Sequence, residues 1–137
     1  MATFISHSPE ETEAFAASVG AVVQSRCVIG LSGELGAGKT QFVKGLARGL
    51  AIQERVRSPT FALLNIYGGG RLPLFHLDLY RLETQEQIVA AGLEEYFSPA
   101  GVSVVEWIER WQGPEPVSYQ RFIFEIVSDS ERRISYA

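Results

Sequence analysis

Gly33-Glu34-Leu35-Gly36-Ala37-Gly38-Lys39-Thr40 fills the pattern G-x-x-x-x-G-K-[ST] at every position, the spacing of a phosphate-binding loop, or Walker A motif. Glycines there let the backbone curl so that several N–H groups point inward, where side chains would obstruct an anion. Upstream, Cys27-Val28-Ile29-Gly30-Leu31 is short, apolar and partly β-branched, which predicts a buried strand. Downstream, Phe42, Val43, Leu46, Ala47 and Leu50 share one helical face. Strand, glycine loop and helix in this order predict an α/β protein with a phosphate at a helix N-terminus, against unpaired N–H groups and the favourable end of the dipole. Gly33, Gly36, Ala37 and Gly38 then form the backbone cradle, Lys39 bridges the β- and γ-phosphates, and the Thr40 hydroxyl ligates Mg²⁺. A glycine turn matching by accident is the alternative, and the flanking strand and helix disfavour it.

Such a loop needs a carboxylate from a neighbouring strand to complete the metal shell. Val102-Ser103-Val104-Val105-Glu106 is a hydrophobic strand ending in an acid, the form of a Walker B segment with Glu for the commoner Asp. Glu106 is therefore a metal candidate, against the reading of a surface carboxylate past a buried strand. Asp78 is the second candidate acid. In Leu74-Phe75-His76-Leu77-Asp78-Leu79-Tyr80-Arg81, alternation puts Phe75, Leu77 and Leu79 on one face and His76, Asp78 and Tyr80 on the other, which also reads as a solvated face. With no Cys or second His at ligand spacing, His76 is not a zinc site, and it reads as a hydrogen-bonded strand residue.

Between these segments, Arg57-Ser58-Pro59-Thr60-Phe61 is a polar loop whose Ser58 and Thr60 hydroxyls have the chemistry to sense a γ-phosphate, or else a Pro-containing turn. The expected mechanism is in-line attack of water on the γ-phosphorus, with Lys39 and Mg²⁺ neutralising charge and Asp78 or Glu106 positioning the water. Arg81 and Arg110 are candidates for stabilising the transition state, but neither stands in a motif that establishes a finger, so slow hydrolysis by the chain alone is expected.

The remaining sequence bounds the function. In 137 residues, 46% hydrophobic, there is enough apolar material for one core, so a single domain over 1–137 is expected. A net charge of −4 argues against affinity built on phosphate neutralisation along a nucleic acid. The lone Cys27 cannot form an intrachain disulfide, no apolar run approaches the roughly 20 residues of a membrane span, and no targeting segment opens the chain, so a cytoplasmic protein without a membrane partner is expected. Ser8-Pro9-Glu10-Glu11 is a capping box with Pro at the first helical position, followed by Phe15, Val19, Val22 and Val23 at helical spacing. Tyr119–Val127 and Arg132–Tyr136, around Ser128-Asp129-Ser130-Glu131, read as a β-hairpin.

GELGAGKT, SPTF, FHLDLYRL and VVEW, in this order, resemble the TsaE (YjeE) family of small bacterial P-loop ATPases, from the helix after Ser8 to at least Trp107. The combination is more specific than the glycine loop alone. The resemblance implies ATP as the nucleotide and a role in making N6-threonylcarbamoyladenosine in tRNA, with a TsaB–TsaD heterodimer as partner and tRNA engaged only through that complex. It also implies switch-like positions for Ser58, Thr60, Asp78 and Arg81, an Mg²⁺ contact for Glu106, a place beside the nucleotide for Trp107, and a contribution of the N-terminal segment to the adenine end, with Thr12 the candidate. Alternatives from the residues alone are a core aromatic for Trp107 and an exposed first-turn residue for Thr12. One departure stands out: after E-W the family often has Pro, whereas Ile108 follows here.

The expected architecture is a P-loop NTPase fold with a mixed β-sheet flanked by helices. Parallel strands bearing Leu31 and Val105 are central, and antiparallel hairpins span Phe61 to Tyr80 and Tyr119 to Tyr136. A small-molecule kinase and a non-hydrolytic nucleotide-gated binding module are the competing functions. Strand order, oligomeric state, the partner surface, the water-positioning acid and any adenine contact by Arg132 or Arg133 are not readable from sequence.

Overall fold

A computed structural model describes residues 1–137. Seven strands form one sheet: β1 (Ala2–Ser6), β2 (Cys27–Ser32), β3 (Leu64–Tyr67), β4 (Leu74–Asp78), β5 (Val102–Glu106), β6 (Ser118–Ile126) and β7 (Arg132–Tyr136), in the order β1-β7-β6-β2-β5-β4-β3. β2 is parallel to both β5 and β6, and β4 is parallel to β5, while β3 and β7 pair antiparallel with β4 and β6. This is the mixed sheet expected. The strand β1, antiparallel to β7, had no counterpart in the sequence reading. Its five residues alternate without a strong apolar face.

Burial explains the centre. Every residue of β2 is buried because both of its faces are covered. Cys27, Ile29 and Leu31 face a core shared with helices α1 (Pro9–Val22) and α2 (Lys39–Gly49), whereas Val28 joins Leu77, Val105 and Ile108 beneath the short helix α3 (Gln85–Ala90) on the other face. The Ser8 cap is formed, with Glu11 N–H donating to Ser8 Oγ at 3.1 Å, while the Glu11 carboxylate accepts from the N–H of His7, one residue before the cap, at 2.9 Å. Along α1, however, Val22 is 72% exposed, and Thr12, Ala16 and Gly20 are the buried positions. Close packing on α2 selects small side chains there: a methyl added at Gly45 would collide with the Glu13 carbonyl, and one at Gly49 with that of Ala17.

The first hairpin is narrower than expected. Thr60–Leu63 forms a turn closed by Leu63 N–H to the Pro59 carbonyl, so Phe61 lies outside the strand and is 86% exposed. Pro59 sets that turn. Ile108 opens a 3₁₀ turn (Ile108–Arg110), where its side chain fills the second core. Its backbone position is one that proline also tolerates, so the departure after Trp107 leaves the fold unchanged.

Candidate nucleotide site

Three parallel strands end at one edge, and their register aligns their last residues. Leu31 of β2 lies beside Glu106 of β5, which lies beside Asp78 of β4. The glycine loop leaves β2 at this edge, where ligands bind in open α/β sheets. Gly38 has φ of 101° at the N-cap of α2, a left-handed conformation that glycine adopts without strain and that directs the chain into the helix. The backbone is thus shaped as a cradle for an anion at the helix N-terminus, which is the fit that a nucleotide phosphate requires.

Lys39 is buried, and its ammonium donates to the carbonyls of Gly33 and, at 3.1 Å, Glu34. Burial pushes its pKa below the ordinary 10.5, against the opposing pull of Glu106, Glu109, Asp78 and Glu34. Its Nζ also lies 4.3 Å from the centre of the Trp107 ring. Trp107 reaches that place because it takes φ of 61° immediately after β5, a conformation uncommon for a bulky residue. It is half-buried with its ring tilted against Tyr80, so it is neither a core aromatic nor a free surface ring.

Thr40 donates to the Glu106 carboxylate, 3.1 Å from Oε2 and 3.3 Å from Oε1, and Glu106 Oε2 is 2.6 Å from His76 Nε2. Glu106 is 4% exposed, which removes the reading of a surface carboxylate. Asp78 belongs to a second hydrogen-bond system: Thr60 Oγ1 donates to its Oδ2 at 2.9 Å, the Tyr80 N–H donates to its Oδ1 at 2.9 Å, and Ser58 Oγ lies 2.8 Å from Thr60 Oγ1. His76 and Asp78 are 0% and 4% exposed, so their face of β4 is not solvated. It points instead toward the α2 side, as Leu74 does. Thr40 and Glu106 together offer hard oxygen donors of the kind Mg²⁺ takes alongside substrate phosphates and water.

A pocket of about 330 Å³ adjoins the loop, lined by the start of α1 (His7, Ser8, Thr12), by Gly36, Gly38 and Gln41, and by the β6–β7 turn with Arg132. That volume lies in the range of small-ligand sites. Thr12 is 3% exposed, not an exposed first-turn residue, and its hydroxyl is 2.7 Å from Ser6 Oγ. Arg132 donates to the Gly36 carbonyl at 3.2 Å and thereby ties the hairpin turn to the glycine loop. Arg133 points elsewhere, 3.8 Å from Glu125. Of the two candidate arginines, Arg110 lies over the Trp107 ring at 5.7 Å, while Arg81 is exposed and lies over Phe61. His76 is the hydrogen-bonded strand residue expected, while sequence reasoning missed the hairpin turn as a pocket wall and Glu106 as the partner of His76. Both depend on long-range pairing that has no local signal.

Comparison with known proteins decides the family. A family model described as "Threonylcarbamoyl adenosine biosynthesis protein TsaE" matches residues 6–134. The chain belongs to the TsaE family. It is 41% identical over 129 residues to the tRNA threonylcarbamoyladenosine biosynthesis protein TsaE of Bacillus subtilis, covering 94% of this chain and 80% of that one. The TsaE of Treponema pallidum is 41% identical over 133 residues, covering 97% and 98%. Among solved structures, YdiB of Bacillus subtilis superposes with a TM-score of 0.83 at 36% identity, covering 98% of this chain and 83% of that one. The mixed sheet flanked by helices is thus a fold shared with YdiB. No helix is long and apolar enough to cross a membrane.

Proposed function

We propose that this TsaE-family chain, working as one domain in the cytoplasm, binds ATP with Mg²⁺ and hydrolyses it for the tRNA threonylcarbamoyladenosine machinery, acting on a TsaB–TsaD complex and meeting tRNA only through it. One observation carries the chemical half of this reading. Lys39, Thr40, Glu106 and Asp78 converge at the carboxyl edge of the parallel strands, and Asp78 is hydrogen-bonded to the Ser58–Thr60 loop. Family membership supports the pathway, and the partner is what the resemblance implies.

In this reading the N–H groups of Gly33, Gly36, Ala37 and Gly38 bind the phosphates, and Lys39 exchanges its two carbonyl acceptors for phosphate oxygens. The pocket lined by Thr12 and Arg132 receives the nucleoside end. Thr40 and Glu106 would hold Mg²⁺, which when bound would supply neutralisation of phosphate charge. Asp78 orients a water for in-line attack on the γ-phosphorus; the new P–O bond forms as the bond to the ADP oxygen breaks, and the water's proton leaves with phosphate or solvent. Ser58 and Thr60 report the γ-phosphate through Asp78, and Trp107 covers Lys39 from water. Slow turnover alone is expected because the two candidate finger arginines, Arg81 and Arg110, lie over Phe61 and Trp107 and make no hydrogen bond to Asp78 or Glu106. A finger supplied in trans is worth ~10³ to 10⁵ in rate.

The test is Mg²⁺-dependent ATP hydrolysis by the chain alone and with purified TsaB–TsaD, against Lys39→Ala. Partner-stimulated hydrolysis that vanishes in the variant is expected. Nucleotide-dependent association without turnover would instead identify a nucleotide-gated binding module, and phosphoryl transfer to an added acceptor would identify a kinase.

A further inference from the structure

His76 and Asp78 lie on one face of β4, and Asp78 is the register neighbour of Glu106 while His76 neighbours Val104. Two carboxylates directly opposite on neighbouring strands repel. The structure separates them: Asp78 engages Thr60 and the Tyr80 N–H, and the Glu106 carboxylate reaches back along the sheet to His76, 2.6 Å away. This contact is fully enclosed, with His76 side chain 0% and Glu106 side chain 5% exposed.

The other ring nitrogen, Nδ1, is buried with no hydrogen-bond partner. A carboxylate oxygen accepts, so the contact takes Nε2–H as its donor and leaves Nδ1 without a partner. Leaving a buried polar atom unpaired costs free energy, so the contact that the other nitrogen makes is what holds this ring in place. The single polar contact of His76 is therefore its contact with Glu106.

Thr40 alone does not fix that carboxylate. Its hydroxyl is nearly equidistant from the two oxygens, at 3.1 and 3.3 Å, so rotation about the last side-chain bond of Glu106 changes this contact little. The Nε2–H bond to Oε2 supplies the second point that sets the carboxylate plane and leaves Oε1 with only the long Thr40 contact. We propose that His76 is a positioning residue that locks Glu106 in its cation-binding orientation. The inference rests on the reading of Glu106 as an Mg²⁺-holding side chain. Partners of this kind typically account for 10–100-fold in metal affinity.

The experiment compares wild type, His76→Leu, His76→Gln and Glu106→Gln as full chains. It reads ligand-free melting temperature, ADP affinity by tryptophan fluorescence with and without Mg²⁺, and the Mg²⁺ concentration for half-maximal hydrolysis. His76→Leu is expected to melt below wild type, because the buried Glu106 carboxylate loses a partner, and to bind ADP equally well without Mg²⁺. Its Mg²⁺ requirement should rise roughly 10–100-fold in both the binding and the hydrolysis assays. His76→Gln, whose amide N–H substitutes for Nε2–H, should return to within a few-fold, and ¹⁵N NMR of the wild-type ring should show the Nε2–H tautomer. An unchanged Mg²⁺ requirement in His76→Leu, a glutamine variant as impaired as the leucine one, or an Nδ1–H tautomer would overturn the proposal. If His76→Leu does not fold, His76→Gln and the tautomer decide by the same criteria. A Glu106→Gln variant with normal Mg²⁺ dependence removes the reading of Glu106 and this inference together, whereas a shift in Glu106→Gln without one in His76→Leu removes only the role of His76.

Discussion

Lys39 is held in the fold against its own solvation. Burial lowers its pKa, so its charged form is less stable folded than unfolded, and the protein carries that cost at every pH below the lowered folded-state value. Lys39→Met should therefore raise the melting temperature of the ligand-free protein at neutral pH. The gain over wild type should shrink as pH rises through the lowered value and vanish above the unfolded value near 10.5. The same variant should lose the stabilisation by Mg·ATP, worth ~2.7 kcal/mol at 100 times Kd. A calorimetric pH series with and without nucleotide checks both signs. Cys27 makes a simpler case. It is 2% exposed with its pKa raised by burial, so its thiol should stay inert to a thiol-reactive dye until urea unfolds the chain. Thr40, Lys39 and the glycines were legible at this scale because the loop's chemistry is local and its spacing invariant. The burial of Asp78 and His76 was not, since alternation along β4 says which residues share a face and nothing of what covers it.

Among the elements, α1 and α2 set the rigid floor of the site. Gly45 lies where the α1 backbone passes, so Gly45→Ala gains helix propensity of about 1 kcal/mol but forces the helices apart. Overpacking of this kind costs about 1–3 kcal/mol, and urea denaturation should show a net loss of stability. Ser8→Ala removes the bond to the Glu11 N–H, and a loss of about 0.5–2 kcal/mol is expected in the same assay. The capping box and the apolar face of α2 were readable because helix ends and helical periods are written in adjacent residues. Val22 shares the helical spacing of Phe15 and Val19 yet is exposed, because period alone does not reveal that α2 packs against the small residues Ala16 and Gly20. Phe61 was misplaced in β3 for a related reason: Pro59 bends the chain into a turn before pairing begins.

At the scale of the whole molecule, the site is the product of strand order. β5 inserts between β2 and β4, and this brings Glu106 between the glycine loop and Asp78 although 66 residues separate it from Thr40. The β6–β7 turn reaches the same edge and binds the loop through Arg132. Arg132→Ala should raise KM for ATP more than it lowers kcat, since Arg132 touches the pocket wall and not the reacting edge, and steady-state kinetics with TsaB–TsaD present measures that split. The sequence by itself determined the loop, its helix, the two acids as candidates, the class of sheet and the family resemblance, because glycine geometry, capping and hydrophobic period act over a few residues. Only the tertiary structure decided which acid meets Thr40, which meets the Ser58–Thr60 loop, and that a buried histidine stands behind Glu106. Those contacts depend on strand register and on what covers each face, and neither is encoded within any one segment.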